Sequence, residues 1–444
     1  MVWIAPFRGI RYNLKKISDL SKVVAPPYDV ISTEEQERLY RKSPYNIVRL
    51  ILNREPDSYE NAGTLFREWQ EQNILLRDEA PALYFVAHRF KLRSGEEKER
   101  LGFFALARLE EPSSGNIHPH ERTLEGPKAD RLKILLSCNA NLSSIFALYS
   151  EPKQSINRRL LEHVDGVPPL EEAEDSGRGH CRLWAIRDPE VIRRIQLEMR
   201  DQTLLIADGH HRYEASLNYR NHIRSTRGDW NGREAFNYVL MYFANMSDAG
   251  LVILPTHRLV RGWSPMPFQQ LEKSLQNFFY IEQYPKTSEG KAWFLRAFKS
   301  GRKKQRQIGA SFSGDPRYLI LRLKNKRAMQ RLAKDMIPAL RELDVNILHL
   351  LILQHVLGLS PEEQLREGVI RYLEDEDEVL KAVEKERQQA AFMLHPPSPE
   401  AILEIVMQKE KLPQKSTYFY PKLVSGLVLN RIEPQEEIDH DAST

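Results

Sequence analysis

The sequence predicts an α/β fold, and three observations predict it. Short β-branched and aromatic runs such as Ala82-Leu83-Tyr84-Phe85-Val86-Ala87 alternate with stretches of helical spacing, where Ala62, Leu65, Phe66 and Trp69 fall on one face. The apolar run Thr203 to Ala207 breaks at Asp208-Gly209 and passes directly into a helical pattern. The 444 residues, 41% hydrophobic and 28% charged, suffice for a sizeable core in two or three domains of ~150 residues each.

Taken in order, residues 46–52 and 82–87 read as strands and residues 58–72 as the helix between them. Residues 101–109 and 144–148 read as further strands, and the polar, acidic, Pro- and Gly-punctuated residues 151–180 as a surface excursion. A strand at 203–207, a turn at Asp208-Gly209 and a helix over about 210–220 follow, then strands at 236–244 and 250–254. The pattern changes at 263–325, a small α+β unit reached through Ser264-Pro265-Met266-Pro267 and carrying a basic loop at 301–306. Helices at 326–340, 344–358 and 373–388 precede a strand at 391–394, and the acidic, Pro-broken residues 433–444 read as a frayed tail. The expected organisation is a core over 1–262, the small unit over 263–325, a helical region with a C-terminal strand segment packing back on the core over 326–432, and the tail.

Composition narrows the function. Two cysteines, Cys138 and Cys181, without a C-x-x-C spacing rule out a disulfide framework and a cysteine-rich zinc site, and suit a reducing compartment. The N-terminus lacks the charged and apolar regions of a signal peptide. The most apolar stretch, Ile347 to Leu359, is interrupted by His349, Gln354 and His355 and falls short of the ~20 residues that span a bilayer. A cytoplasmic protein without a membrane partner is expected. A net charge of +4 demands no nucleic-acid partner. The P-loop, dinucleotide-binding, nucleophile-elbow and zinc-deaminase signatures are all missing.

Chemistry concentrates in Ala207-Asp208-Gly209-His210-His211-Arg212. The first amides of a helix lack internal partners and the macrodipole adds about half a positive charge there, so an anion is stabilised. Gly209 clears the approach, His210, His211 and Arg212 add donors, and Asp208 can cap the helix, hold a metal or take a proton. A tight turn with solvated side chains would account for Asp-Gly alone; two histidines and an arginine at the anion-attracting end favour phosphate. Adjacent helical histidines diverge by ~100° and make a poor metal pair. Four other segments carry reactive side chains: Pro26-Pro27-Tyr28-Asp29-Val30; His118-Pro119-His120-Glu121-Arg122-Thr123, running on to Gly126-Pro127-Lys128-Ala129-Asp130-Arg131; Pro255-Thr256-His257-Arg258; and Lys415-Ser416-Thr417 through Lys422. Each by itself suits a polar loop or strand end as well as a site.

Together and in this order, the five segments resemble the bacterial and archaeal family known as domain of unknown function 1015, from about residue 5 to 430, with Gln414 standing where a second proline is expected. Asp-Gly-His-His-Arg also resembles the ParB/sulfiredoxin-like superfamily motif. That resemblance implies a core of mixed sheet and flanking helices, whose turn holds the phosphates of a nucleotide. The superfamily includes kinases of free L-serine, and the family a pyrophosphate-dependent one. The resemblance thus implies phosphoryl transfer to a small hydroxyl substrate, L-serine first, from pyrophosphate or a nucleotide. Asp29 and Asp208 would share the proton-accepting role, with Glu121 as a substitute. Gly209, His210, His211 and Arg212 would hold the transferred phosphate. His120, Arg122, Thr123, Lys128, Arg131, His257, Arg258, Lys415, Ser416, Thr417 and Lys422 would surround the ligands, and Mg²⁺ is expected, with Asp208 as its ligand. The competing expectations are a ParB-like nucleotide- or nucleic-acid-binding regulator and a phosphatase acting on phosphoserine.

Overall fold

Strict alternation of side chains gives the main sheet two faces of different character. The protein, a computed structural model, is described over residues 1–111, 115–121, 125–175, 179–226, 229–301, 306–385 and 388–439. It divides into two compact units, one of residues 1–252 and 421–444, the other of residues 253–420.

The first unit is built on a nine-stranded mixed sheet: β1 (Ile4–Ala5), β2 (Leu83–Lys91), β3 (Glu97–Arg108), β4 (Ile117–Pro119), β5 (Ile145–Tyr149), β6 (Glu171–Glu174), β7 (Gly179–Ile186), β8 (Leu204–Asp208) and β9 (Tyr238–Asn245). The order is β4-β8-β5-β9-β3-β2-β7-β6, with β1 on β3. The pairs β4–β8 and β5–β9 are parallel and the others antiparallel. One face is apolar: Phe85, Ala87, Phe103, Ala105, Ile145, Ala147, Ile206, Met241 and Phe243 share a buried cluster with residues of the helices Ser155–Val164, Pro189–Arg200 and His210–Thr226. The opposite face carries Tyr84, His88, Arg100, Phe104, Tyr242, Phe146 and Asp208, placed side by side by the pairs His88↔Arg100, Tyr84↔Phe104, Phe104↔Tyr242, Tyr242↔Phe146 and Phe146↔Asp208. Period-two alternation thus separates the core from a chemically equipped surface.

The second unit holds a six-stranded antiparallel sheet of β10 (His257–Val260), β11 (Phe279–Pro285), β12 (Gln307–Phe312), β13 (Arg317–Leu323), β14 (Ile370–Leu373) and β15 (Ala390–Met393), in the order β11-β13-β12-β15-β10-β14. Phe294 and Phe298 of the helix Ser288–Gly301, with Val379, Leu380 and Val383 of the helix Glu376–Lys385, cover one face.

Several expectations need correction. Residues 263–325 are no separate unit, because their strands share a sheet with β10, β14 and β15. Residues 46–52 contain a helical turn, Val48–Ile51, started by the Asn46 side chain accepting from the Val48 amide; one turn is too short for a helical period to show. Residues 151–180 include the helix Ser155–Val164, whose Ile156, Leu160 and Val164 recur every four residues, and the strand β6. Residues 344–358 continue past Asp344–Ile347 as a π-helix, Leu348–Val356. Residues 433–439 pack rather than fray: Glu436 pairs with Arg77 and Ile438 is buried. The expected basic loop lies, for 302–305, outside the described residues. Cys138 and Cys181 are buried and free. Among the described residues, no helix is long and apolar enough to cross a membrane.

Candidate functional site

Strand β8 delivers Asp208 at its C-terminal end, where the ladder with β5 is bulged between Ile206 and Asp208. Gly209 turns the chain with φ +91°, a conformation a Cβ disfavours, and the helix His210–Thr226 begins at once. A Cβ there would also meet the Arg212 guanidinium at 3.0 Å.

Two distant segments meet this turn. Ala25 and Ser425 form an antiparallel bridge, with N–H···O distances of 2.8 and 3.2 Å. Asp29, four residues after Ala25, and Lys422, three before Ser425, are thereby brought opposite each other. Prolines 26 and 27 carry an extended approach, and a single 3₁₀ turn, Tyr28–Val30, presents Asp29. The Lys422 ammonium donates to Asp29 Oδ2 at 2.5 Å and lies 2.8 Å from Asp208 Oδ1. Asp208 Oδ2 accepts from Arg212, whose guanidinium also reaches the Ser144 carbonyl. The four side chains are 28% (Asp29), 19% (Asp208), 10% (Lys422) and 12% (Arg212) exposed, close-packed yet open to a ligand.

The electrostatics follow from this packing. Burial would raise the Asp208 carboxyl, but Lys422 and Arg212 outweigh it and hold the group well below the usual carboxylate range. Burial would lower the Lys422 ammonium, and the two aspartates outweigh it and hold the group above its ordinary value. Asp208 and Lys422 are therefore both charged at neutral pH. Beside them His120 donates from Nδ1 to the Ile206 carbonyl at 2.6 Å, and His210 Nε2 lies 3.2 Å from the same nitrogen. Burial pushes His120 down to about 4 against that hydrogen bond and the Asp208 charge, so the ring is neutral. Glu121 Oε1 stands 3.8 Å from His120 Nε2.

Of the residues singled out in the sequence, Asp29, Asp208, Arg212 and Lys422 form one ionic centre, with Gly209, His210, His120 and Glu121 adjoining. His211 follows His210 on the same helix. Arg131 serves the frame: its guanidinium lies 3.8 Å from the Tyr28 ring centroid and donates to the Ile51 carbonyl. Lys128 is paired with Glu125 at 2.6 Å and lies 3.6 Å from Glu214. Arg122 and Thr123 lie outside the described residues.

The remaining five fall in the second unit, and the ligand-surrounding role expected of them does not suit their setting. His257 is fully buried and accepts from the Leu394 amide at 3.2 Å. Arg258, 1% exposed, donates to the Thr256 and Lys415 carbonyls. Ser416 is buried and donates to the Pro413 carbonyl, closing a turn in which Lys415 has φ +55°. Thr417 follows that turn and leads into the strand Tyr418–Tyr420.

Sequence reasoning did not single out Tyr28, whose ring packs on Arg131 within the influence of Arg212, Asp29 and Asp208. It also passed over Arg100, one of several charged residues along its strand. The Mg²⁺ expectation fits the donor set poorly, because Lys422 and Arg212 occupy both Asp208 oxygens and Lys422 fills the space between the carboxylates. Among the described residues no three His, Cys, Asp or Glu side chains are grouped to hold a metal ion. A narrow cavity of about 50 Å³ adjoins Arg131 and Arg212, lined also by Asn141, Ser143, Ser216 and Ile51.

The family model described as "Protein of unknown function (DUF1015)" matches residues 4–346. No curated protein matches the chain. Among solved structures, a conserved hypothetical protein from Pyrococcus furiosus is similar at 11% identity and TM-score 0.31, over 70% of this chain and 92% of the other. A free serine kinase in complex with AMP is similar at 11% and 0.31, over 70% and 89%. SbnI from Staphylococcus aureus is similar at 11% and 0.34, over 75% and 90%. Likenesses this loose leave the activity to the site itself.

Proposed function

The chain belongs to the DUF1015 family, and from its ionic centre we propose that it is a phosphotransferase acting on a small hydroxyl substrate, free L-serine, with pyrophosphate or a nucleotide as donor. The observation that carries this reading is the lysine bridging two carboxylates at the mouth of a helix that starts on a positive-φ glycine. Phosphoryl transfer needs little from a protein beyond positioning and charge neutralisation. Lys422 and Arg212 supply cations that exchange carboxylate oxygens for donor phosphate oxygens when the ligand enters, Arg212 as a fork and Lys422 as a point charge. The amides after Gly209 face the transferred group.

The exchange uncovers a carboxylate. The acceptor oxygen attacks the terminal phosphorus as the bond from phosphorus to the leaving phosphate breaks, and the hydroxyl proton passes to Asp29. Asp208, held strongly ionised, orients the hydroxyl rather than taking its proton. Neutral His120 adds no charge to the wall beside Asp208. No step requires a metal seated on the chain; Mg²⁺ would accompany the donor phosphates.

The test is to incubate the purified protein and Mg²⁺ with L-serine and pyrophosphate, ATP or ADP in turn, and to assay O-phosphoserine by mass spectrometry. Product is expected from at least one donor, and about 10³-fold more slowly from Asp208→Asn. Folded wild-type protein yielding no product with any donor overturns the reading.

A further inference from the structure

Among the described residues, Arg100 and Arg258 are the two largest fully buried side chains, and each donates to a backbone carbonyl of the segment that ends in Lys422. Arg100, 0% exposed, reaches the Pro421 carbonyl at 2.9 Å from a residue 321 positions away. Its guanidinium lies 4.9 Å from the Phe146 ring centroid and 5.7 Å from that of Tyr242. Gly102 makes the arrangement possible, because a Cβ there would meet the Tyr242 ring at 2.4 Å. Phe146 is the register partner of Asp208. One sheet face therefore carries both the carboxylate and, three strands further on, the arginine that grips the chain just before Lys422.

Burying a guanidinium is costly, and an apolar residue would pack this face more cheaply. Pro421 has no N–H, and Lys422 lies on irregular backbone between the strand Tyr418–Tyr420 and the Ala25↔Ser425 bridge. No ladder fixes the carbonyl ahead of Lys422; Arg100 does. We propose that Arg100 is a positioning residue, holding the Pro421 carbonyl so that the Lys422 ammonium lies between Asp29 and Asp208. Its importance for turnover rests on the phosphotransferase reading; its effect on Lys422 does not.

The test uses Arg100→Gln, Arg100→Lys and, for a variant that leaves the arginine in place, Phe146→Leu, all in the full chain. The acylation rate of every lysine by an amine reagent is read by peptide mass spectrometry, beside kcat and KM. In the wild type Lys422 reacts slowly, because its carboxylate partners keep it protonated. Arg100→Gln raises Lys422 acylation about tenfold, as loss of a charge-assisted hydrogen bond predicts, and leaves Lys15 and Lys153 unchanged. Arg100→Lys returns most of the protection, Phe146→Leu loses about threefold of it, and kcat falls in the same order while KM changes little. The proposal is overturned if Lys422 in Arg100→Gln reacts within twofold of the wild-type rate, or if all lysines accelerate together in every variant, the mark of a purely structural residue. An inactive wild type with selective unmasking of Lys422 removes the phosphotransferase reading and keeps this one; an active wild type with kcat and Lys422 indifferent to Arg100 does the reverse.

Discussion

The ionic centre of the first unit and the Thr256–Arg258 cluster of the second each set an arginine close to a histidine and differ in what their cations meet. Around Lys422 the partners are carboxylates on partly exposed side chains, which can be exchanged for a ligand. Around Arg258 the partners are the Thr256 and Lys415 carbonyls, inside a buried strand end. A cation facing side-chain anions near solvent is available for chemistry, whereas one facing buried carbonyls belongs to the frame. An arginine near a histidine does not distinguish the two; solvent and partner do.

The comparison breaks most sharply on catalysis. Asp208→Asn and Lys422→Met should each lower turnover about 10³-fold, the scale for removing a charged group from a reacting centre, with folding retained. Arg258→Met should instead cost about 3 kcal/mol of stability in denaturant unfolding, with turnover per folded molecule within about twofold. Loss of turnover from Arg258→Met without loss of stability would erase the distinction drawn here.

Acid sharpens it. Burial holds His257 at about 3 and His120 at about 4, below their ordinary ~6.5. A folded-state pKa below the unfolded one means that the unfolded chain binds protons first. Stability is therefore full above about pH 6.5 and declines as pH falls toward 4, and His257→Gln should flatten that decline in thermal melts. Asp208, depressed by Lys422 and Arg212 against its own burial, contributes stability above the ordinary carboxylate range near ~4 that disappears only at lower pH. A stability curve that stays flat from pH 7 to 4 would show that these rings are not kept neutral. The smallest effect belongs to Lys128→Ala, whose amine is paired with Glu125 and lies near Glu214: a change in turnover below about twofold.

What could be read from the chain beforehand was local. The Asp208-Gly209 turn and its helix lie on one unbroken stretch from Asp208 to Thr226, so apolar periodicity and one glycine reveal them. The Pro-Pro-Tyr-Asp and Lys422 segments were visible as separate motifs, but their meeting depends on a bridge between residues 25 and 425 that no window of sequence contains. Arg100 escaped notice for the same reason: its neighbours in sequence are ordinary strand residues, and its importance comes from Pro421. Val48–Ile51 escaped because a single helical turn is too short to show a period, and Leu348–Val356 was legible as a helix but not as a π-helix.

Because Lys422 follows the whole second unit in the chain, the order of synthesis matters. When Asp29 and Asp208 have already left the ribosome, the residue that reconciles their like charges is still to be made, and the whole second unit must be translated first. A polypeptide halted between Thr226 and Pro421 would set Asp29 against Asp208 without the lysine that bridges them. The centre assembles only once Lys422 has been made, so products interrupted earlier carry the motif without the machinery.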